Sequence, residues 1–201
     1  MIKHLILAFC AFIMAAPAMA ATPQIGEKAP NFTVVNSNGQ NVSLSDFEGK
    51  VVVLEWTNHG CPYVQKHYET HNMQGLQRKY RDQDVIWLSI ISSAEGRQGH
   101  VTGEQANTLT KERKASPSAV LLDSDGTVGK LYGASTTPHM FVINKAGTLV
   151  YKGAIDDNNS ANHATVQGAR NYVSEALDSV LAGNNVVVTQ TNPYGCAVKY
   201  K

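Results

Sequence analysis

The chain has 201 residues, 43% of them hydrophobic and 16% charged, and a formal net charge of +1. That balance suits a folded globular chain and is too apolar for an intrinsically disordered one. Charges are dispersed, with no dense basic patch and no aromatic-basic interleaving, so no nucleic-acid partner is expected.

Met1-Ile2-Lys3-His4 is a short basic start, and Leu5 to Ala16 is an apolar run too short to span a bilayer. Ala18-Met19-Ala20 has the small-x-small form of a cleavage site, which predicts a signal peptide over residues 1–20 and a mature chain starting at Ala21. Loss of Lys3 leaves the mature chain formally neutral. Cys10 leaves with the leader, so two of the three cysteines remain, Cys61 and Cys196. In an exported chain, periplasmic or secreted, two cysteines predict a disulfide or a redox pair, because that compartment is oxidising. About 180 residues are enough for one domain with a proper core.

Thr22 to Lys28 reads as an extended entry. Asn38-Gly39 between Val34-Val35 and Val42-Leu44 is a hairpin signal. Ser45 to Lys50 makes a one-turn connector into Val51-Val52-Val53-Leu54-Glu55-Trp56, a β-branched, nearly all-apolar run that reads as a buried central strand. The chain then turns through Thr57-Asn58-His59-Gly60 into Cys61-Pro62-Tyr63-Val64. Pro62 fits a first helical turn, where its missing N–H costs nothing. Cys61 is thereby placed at a helix N-terminus, among free N–H groups and the positive end of the dipole. That setting favours the thiolate, the form that attacks peroxides and disulfides. A free cysteine is more often a small buried hydrophobe, but strand, turn, Cys-Pro and helix together favour the reactive reading.

Val64, Tyr68, Met73, Leu76 and Tyr80 recur at helical spacing and predict one helix from Pro62 to about Tyr80. Residues Asp84 to Ile91 form a second buried strand, and strand-helix-strand implies a right-handed crossover with parallel pairing. Ser92 to Val101 is a polar, Gly-rich loop. Thr102 caps a short helix reaching Lys114, and Ser118 to Leu122 is a third buried strand. Asp123-Ser124-Asp125-Gly126 is a plain turn, since no calcium-loop ligands follow at the required spacing. Thr137-Pro138 precedes the strand His139 to Ile143, and a cis bond is expected there. Asn144 to Gly147 turns this strand into Thr148 to Tyr151, an antiparallel hairpin. His163 to Leu181 reads as the last helix, stopped by Gly183. The polar tail then ends in Asn192-Pro193-Tyr194-Gly195-Cys196, a turn expected to present Cys196 on the surface.

The histidines are the remaining candidates for ligands or proton carriers. His59 and His139 are placed to border one cleft with Cys61, where a histidine can stabilise a thiolate or shuttle its proton. His67 and His71 are spaced i, i+4, but no third ligand is in view, so a solvated face is expected and no metal site.

With Trp56…Cys61-Pro62 and Thr137-Pro138 in this order of elements, residues Gly26 to Leu181 resemble the thioredoxin-like fold. Within it they resemble most the redoxin branch, which groups peroxiredoxins (the alkyl hydroperoxide reductase and thiol-specific antioxidant group) with exported thiol–disulfide oxidoreductases. The resemblance implies an α/β fold with a central mixed β-sheet flanked by helices, an N-terminal β-hairpin and a C-terminal tail. The domain would span residues 21–183 and the tail residues 184–201. It implies that Cys61 is the reactive cysteine and that a cis Thr137–Pro138 bond faces it. Asn58, His59, Thr137, Pro138 and His139 become the candidate substrate contacts. No cofactor is implied; the partners are a peroxide or disulfide substrate and a thiol reductant protein. Nothing in the sequence sets the oligomeric state.

The departures from that family are specific. Position 64 is Val, so the second cysteine of a Cys-x-x-Cys motif is absent, and position 65 is Gln, which departs from the Cys-x-x-x-Cys of copper-delivering relatives. Peroxiredoxins carry Thr or Ser where Asn58 stands, and Pro where Leu54 stands. Their thiolate-supporting arginine has no motif here, Arg113 and Arg170 being the candidates. Three functions therefore compete: peroxide reduction by Cys61 with Cys196 resolving it, thiol–disulfide exchange with protein cysteines, and non-enzymatic metal or partner binding. Closing a loop from Cys61 to Cys196 would disfavour the unfolded state by roughly 5 kcal/mol in the chain-entropy view.

Overall fold

The structure is a computed structural model and describes residues 22–201. The expected leader lies outside the described residues. A β-hairpin opens the fold, with β1 (Thr33–Val35) antiparallel to β2 (Asn41–Ser43) around Asn38-Gly39. Gly39 takes φ +79°, the left-handed conformation that glycine adopts without steric cost.

The centre is a five-stranded mixed sheet in the order β5-β4-β3-β7-β8. It comprises β3 (Val51–Trp56), β4 (Val85–Ile91), β5 (Ala119–Leu122), β7 (His139–Ile143) and β8 (Leu149–Gly153). β3, β4 and β5 run parallel, while β7 is antiparallel to both β3 and β8. All six residues of β3 are buried, as its apolar run requires of a strand covered on both faces. Alternation divides its side chains between two cores. Val51 and Val53 join the core that holds Cys61, Val64, Tyr68, Met140 and Val142. Val52, Leu54 and Trp56 join the other, with Phe141 and Tyr132.

Glu55 is the polar exception in that run, and it is fully buried. Its carboxyl group accepts from Tyr68 Oη (2.7 Å), Trp87 Nε1 (2.7 Å), Ser89 Oγ (3.0 Å) and Gln77 Nε2 (3.3 Å). Burial raises its pKa against the pull of those four donors. One side chain thus ties the central strand to its neighbour β4 and to both helices that follow.

Those helices are α1 (Pro62–Glu69) and α2 (Asn72–Arg81), where the periodicity predicted one. The break is at His71, whose φ of 60° is left-handed. Just before it the Thr70 hydroxyl donates to Lys66 O at 2.6 Å, and Gln74 Nε2 then donates to Tyr68 O at 2.8 Å. Apolar spacing survives the break, so the pattern alone did not register it. The next helix, α3 (Gly103–Glu112), starts from a Thr102–Gln105 capping box. α4 (Thr127–Tyr132) was not anticipated; the buried Asp123 carboxylate accepts from Val128 N and Gly129 N and seeds it after a Gly126 turn. The expected helix from His163 is instead a short 3-10 turn (His163–Val166) and then α5 (Tyr172–Leu181), capped by Asn171. Among the described residues no helix is long and apolar enough to cross a membrane.

The tail is anchored rather than loose. It runs past β8, where Thr191 Oγ1 accepts from Ala154 N, and ends against α4, where Tyr200 Oη donates to Ala134 O. Between these points β6 (Thr136–Thr137) pairs antiparallel with β9 (Cys196–Ala197), placing Thr137 opposite Cys196.

Glu55→Ala should lower the unfolding free energy by about 3–5 kcal/mol, because four buried donors lose their common acceptor. Urea denaturation followed by fluorescence measures it, and a loss under about 1 kcal/mol would remove Glu55 as the link between strand and helices.

Candidate functional site

Cys61 stands at the seam between β3 and α1. It is the N-cap of α1 in extended conformation (φ −86°, ψ 123°), with Pro62 at the first helical position. The turn is held by Asn58, whose Oδ1 accepts from Gly60 N (2.9 Å), whose Nδ2 donates to Gln98 O (3.2 Å) and whose carbonyl accepts from Cys61 N (3.0 Å). Asn58 is 1% exposed, so its side chain is committed to shaping the loop.

Two further segments close over the sulfur. The Thr137–Pro138 bond is cis, as expected, and brings Thr137 O to 3.2 Å from Cys61 Sγ. The tail brings Cys196 Sγ to 2.6 Å. Cys61 is fully buried, and Cys196 is half-buried in β9 rather than displayed on a surface turn. The physical reason is the strand pairing: the backbone of Cys196 follows the Thr137 edge, which turns its side chain inward.

The pair is electrically asymmetric. Burial pushes the Cys61 thiol up, but the Cys196 thiol, the N–H groups of Val64 and Cys196, and Thr137 together outweigh it, and its pKa falls below the ordinary value. Burial and the hydrogen bond to Cys61 push Cys196 up to about 11. The arrangement therefore favours a Cys61 thiolate facing a Cys196 thiol that donates to it.

The histidines take different places. His59 lies on the loop; Arg113 and Gln65 donate to its carbonyl at 3.0 and 3.2 Å, and burial and the Arg113 charge lower its pKa. Beside it is a small cavity of about 40 Å³, with Thr57, Ser89 and Arg113 also in its lining. Thr57 Oγ1 and His59 Nδ1 are buried without a hydrogen-bond partner. His139 is buried on β7 with its ring 4.5 Å from Phe141, and its Nδ1 accepts from Ser135 N (3.3 Å). Its alternation with Met140 directs it to the sheet face opposite Cys61, and burial lowers its pKa to about 3. Arg113 stacks on Tyr68, and Arg170 pairs with Glu175 on the surface. Of the expected site residues, Cys61, Cys196, Thr137 and Pro138 come together, Asn58 and His59 frame the loop, and His139 lies apart.

His67 departs from the solvated face expected for it and is fully buried. It joins Lys66, Asp156 and Tyr194 in a polar cluster beneath the tail. Asp156 and Tyr194 belong to no local motif, and only the fold brings them to α1. No group of three or more metal-ligating side chains occurs among the described residues.

Comparison with known proteins follows the same lines. The model of the AhpC/TSA family matches residues 25–152. The thiol-disulfide oxidoreductase ResA of Bacillus thuringiensis is 28% identical over 127 residues, 63% of this chain and 68% of that protein. A glutathione peroxidase of Lactococcus lactis is 40% identical over 142 residues, 54% of this chain and 90% of that one. Among solved structures, an uncharacterised conserved protein of Geobacillus kaustophilus superposes with a TM-score of 0.77 at 26% identity, covering 94% of this chain and 98% of that one. The thioredoxin domain of a Bacteroides vulgatus thiol-disulfide oxidoreductase superposes at 0.51 with 23% identity, over 73% of this chain and 97% of that domain. The fold is thioredoxin-like.

In the reduced protein, the ultraviolet absorbance of thiolate should rise in two steps with pH, the first below 9.0 and the second near 11. Cys196→Ala should move the first step upward, since it removes a hydrogen bond to the Cys61 thiolate. A first step that stays in place would remove Cys196 as its stabiliser.

Proposed function

The chain belongs to the AhpC/TSA family, and on that premise we propose that it is an exported, two-cysteine peroxide reductase. The observation that carries this reading is the 2.6 Å approach of Cys196 Sγ to Cys61 Sγ at the head of α1. The Cys61 thiolate attacks one peroxide oxygen; the O–O bond breaks, the sulfur is oxidised to a sulfenic acid, and the other oxygen leaves as an alcohol or water after taking a proton. Cys196 then attacks the Cys61 sulfur, displacing the hydroxyl as water and forming the disulfide. An external thiol protein returns both sulfurs to the reduced state. Likeness to a glutathione peroxidase supports the peroxide step, and the leader over residues 1–20 supports export.

A second reading, exchange with cysteines of other proteins, has its own support. The tail strand pairs antiparallel with β6 beside Cys61, in the manner of an extended peptide adding to a strand. Likeness to ResA points the same way.

Limiting peroxide followed by non-reducing peptide mapping tests the first reading. A Cys61–Cys196 disulfide should form with one peroxide consumed per chain. Cys196→Ser should over-oxidise to sulfinic acid at Cys61, and Cys61→Ser should consume none. Reduced protein that leaves peroxide untouched, yet yields a mixed disulfide at Cys61 with another protein, would replace the first reading by the second.

A further inference from the structure

Two details of the tail carry more than a resolving thiol needs. Gly195, just before the cysteine, has φ +133°, and a side chain there would put its Cβ 2.0 Å from Thr137 O. No other residue fits in that register. Tyr194, one residue earlier, is inserted into the polar cluster under the tail. Its ring packs on Tyr63 at 5.8 Å, and Lys66 Nζ lies 5.2 Å from its centroid.

The hydrogen bonds at its hydroxyl form a directed chain. Asn72 Nδ2 donates to His67 Nδ1 at 2.9 Å, which leaves the proton on Nε2, and Nε2 donates to Tyr194 Oη at 3.1 Å. Tyr194 Oη in turn donates to Asp156 Oδ1. Lys66 Nζ lies 3.4 Å from the phenol oxygen and donates to Asn158 O at 2.8 Å. Lys66, His67 and Asp156 are each at least 98% buried. Three buried polar groups converging on one phenol make a built receptor, since leaving any of them unpaired costs free energy.

We infer that this is a recognition site for an extended segment of the form Tyr-Gly-Cys, and that the tail is its tethered occupant. Lys66, His67 and Asp156 read the phenol, the Thr137 carbonyl admits only glycine, and the β6 edge aligns the cysteine with Cys61. An external protein partner of the site is then a strand carrying a cysteine preceded by glycine and by tyrosine. It competes with the tail for one place. The inference rests on Cys61 being the attacking thiolate.

The test uses the full mature chain carrying Cys196→Ser and peptides whose cysteine is linked to thionitrobenzoate. The Cys61 thiolate attacks the peptide sulfur, a Cys61–peptide disulfide forms, and thionitrobenzoate leaves with the electron pair and is read by its absorbance; no net oxidation occurs. A peptide with Tyr-Gly-Cys should react at least tenfold faster than matched peptides with Ala-Gly-Cys, Phe-Gly-Cys or Tyr-Val-Cys. Adding Tyr194→Phe should loosen the competing tail and raise the Tyr-Gly-Cys rate several-fold, with a smaller effect on the thionitrobenzoate disulfide of cysteine alone. Rates within twofold across the four peptides would overturn the inference while leaving Cys61 as nucleophile. Failure of every probe, cysteine included, would overturn both.

Discussion

The site depends on the pairing of Cys196 with the backbone of Thr137. Two strands of two residues each would be negligible as a source of stability on their own. Here they set the position of the one sulfur that faces Cys61. The pairing in turn goes with the cis Thr137–Pro138 bond, which aims the Thr137 carbonyl at the helix N-terminus, and with the central sheet, whose adjoining strands β3 and β7 lead towards Cys61 and away from Thr137. Four separate stretches of chain therefore meet at one sulfur: the end of β3, the start of α1, the loop before β7, and the tail.

The electrostatics follow from that convergence. Burial by itself would keep Cys61 protonated. The N–H groups of Val64 and Cys196 and the thiol of Cys196 reverse this, so the same tail that shuts out solvent also supplies the donors that favour the anion. Lys66 and His67 give a second case of one segment serving two ends. They lie on α1 one to two turns beyond Cys61, and they grip the tail through Tyr194 rather than touching the thiolate.

Local chemistry was legible in the sequence wherever one segment decides it. The Val51–Trp56 run, the Asn38-Gly39 turn, the Thr102 cap and the Cys61-Pro62 helix start all appear as the residues imply. So does the cis bond before β7, and the resemblance to the redoxin branch agrees with the family match over residues 25–152. What escaped reading depends on distant partners. Glu55 looks like a flaw in an apolar strand until Tyr68, Gln77, Trp87 and Ser89 surround it. His67 looks like a surface residue until Asp156 and Tyr194 arrive from the far end of the chain. His71 interrupts a helix without disturbing its apolar spacing, and the fold directs His139 away from Cys61 by the simple alternation of β7.

The late position of Cys196 also orders the protein's assembly in time. It is made 135 residues after Cys61, when every strand of the central sheet has already emerged. A nascent chain thus carries Cys61 before Cys196 has been made, and the helix, sheet and cis-proline loop can organise before the two sulfurs can meet. Among the described residues Cys61 and Cys196 are the two cysteines, so a disulfide formed between described cysteines has one pairing available to it. The residues that close over Cys61, from Tyr194 to Cys196, are therefore made after the helix that carries it.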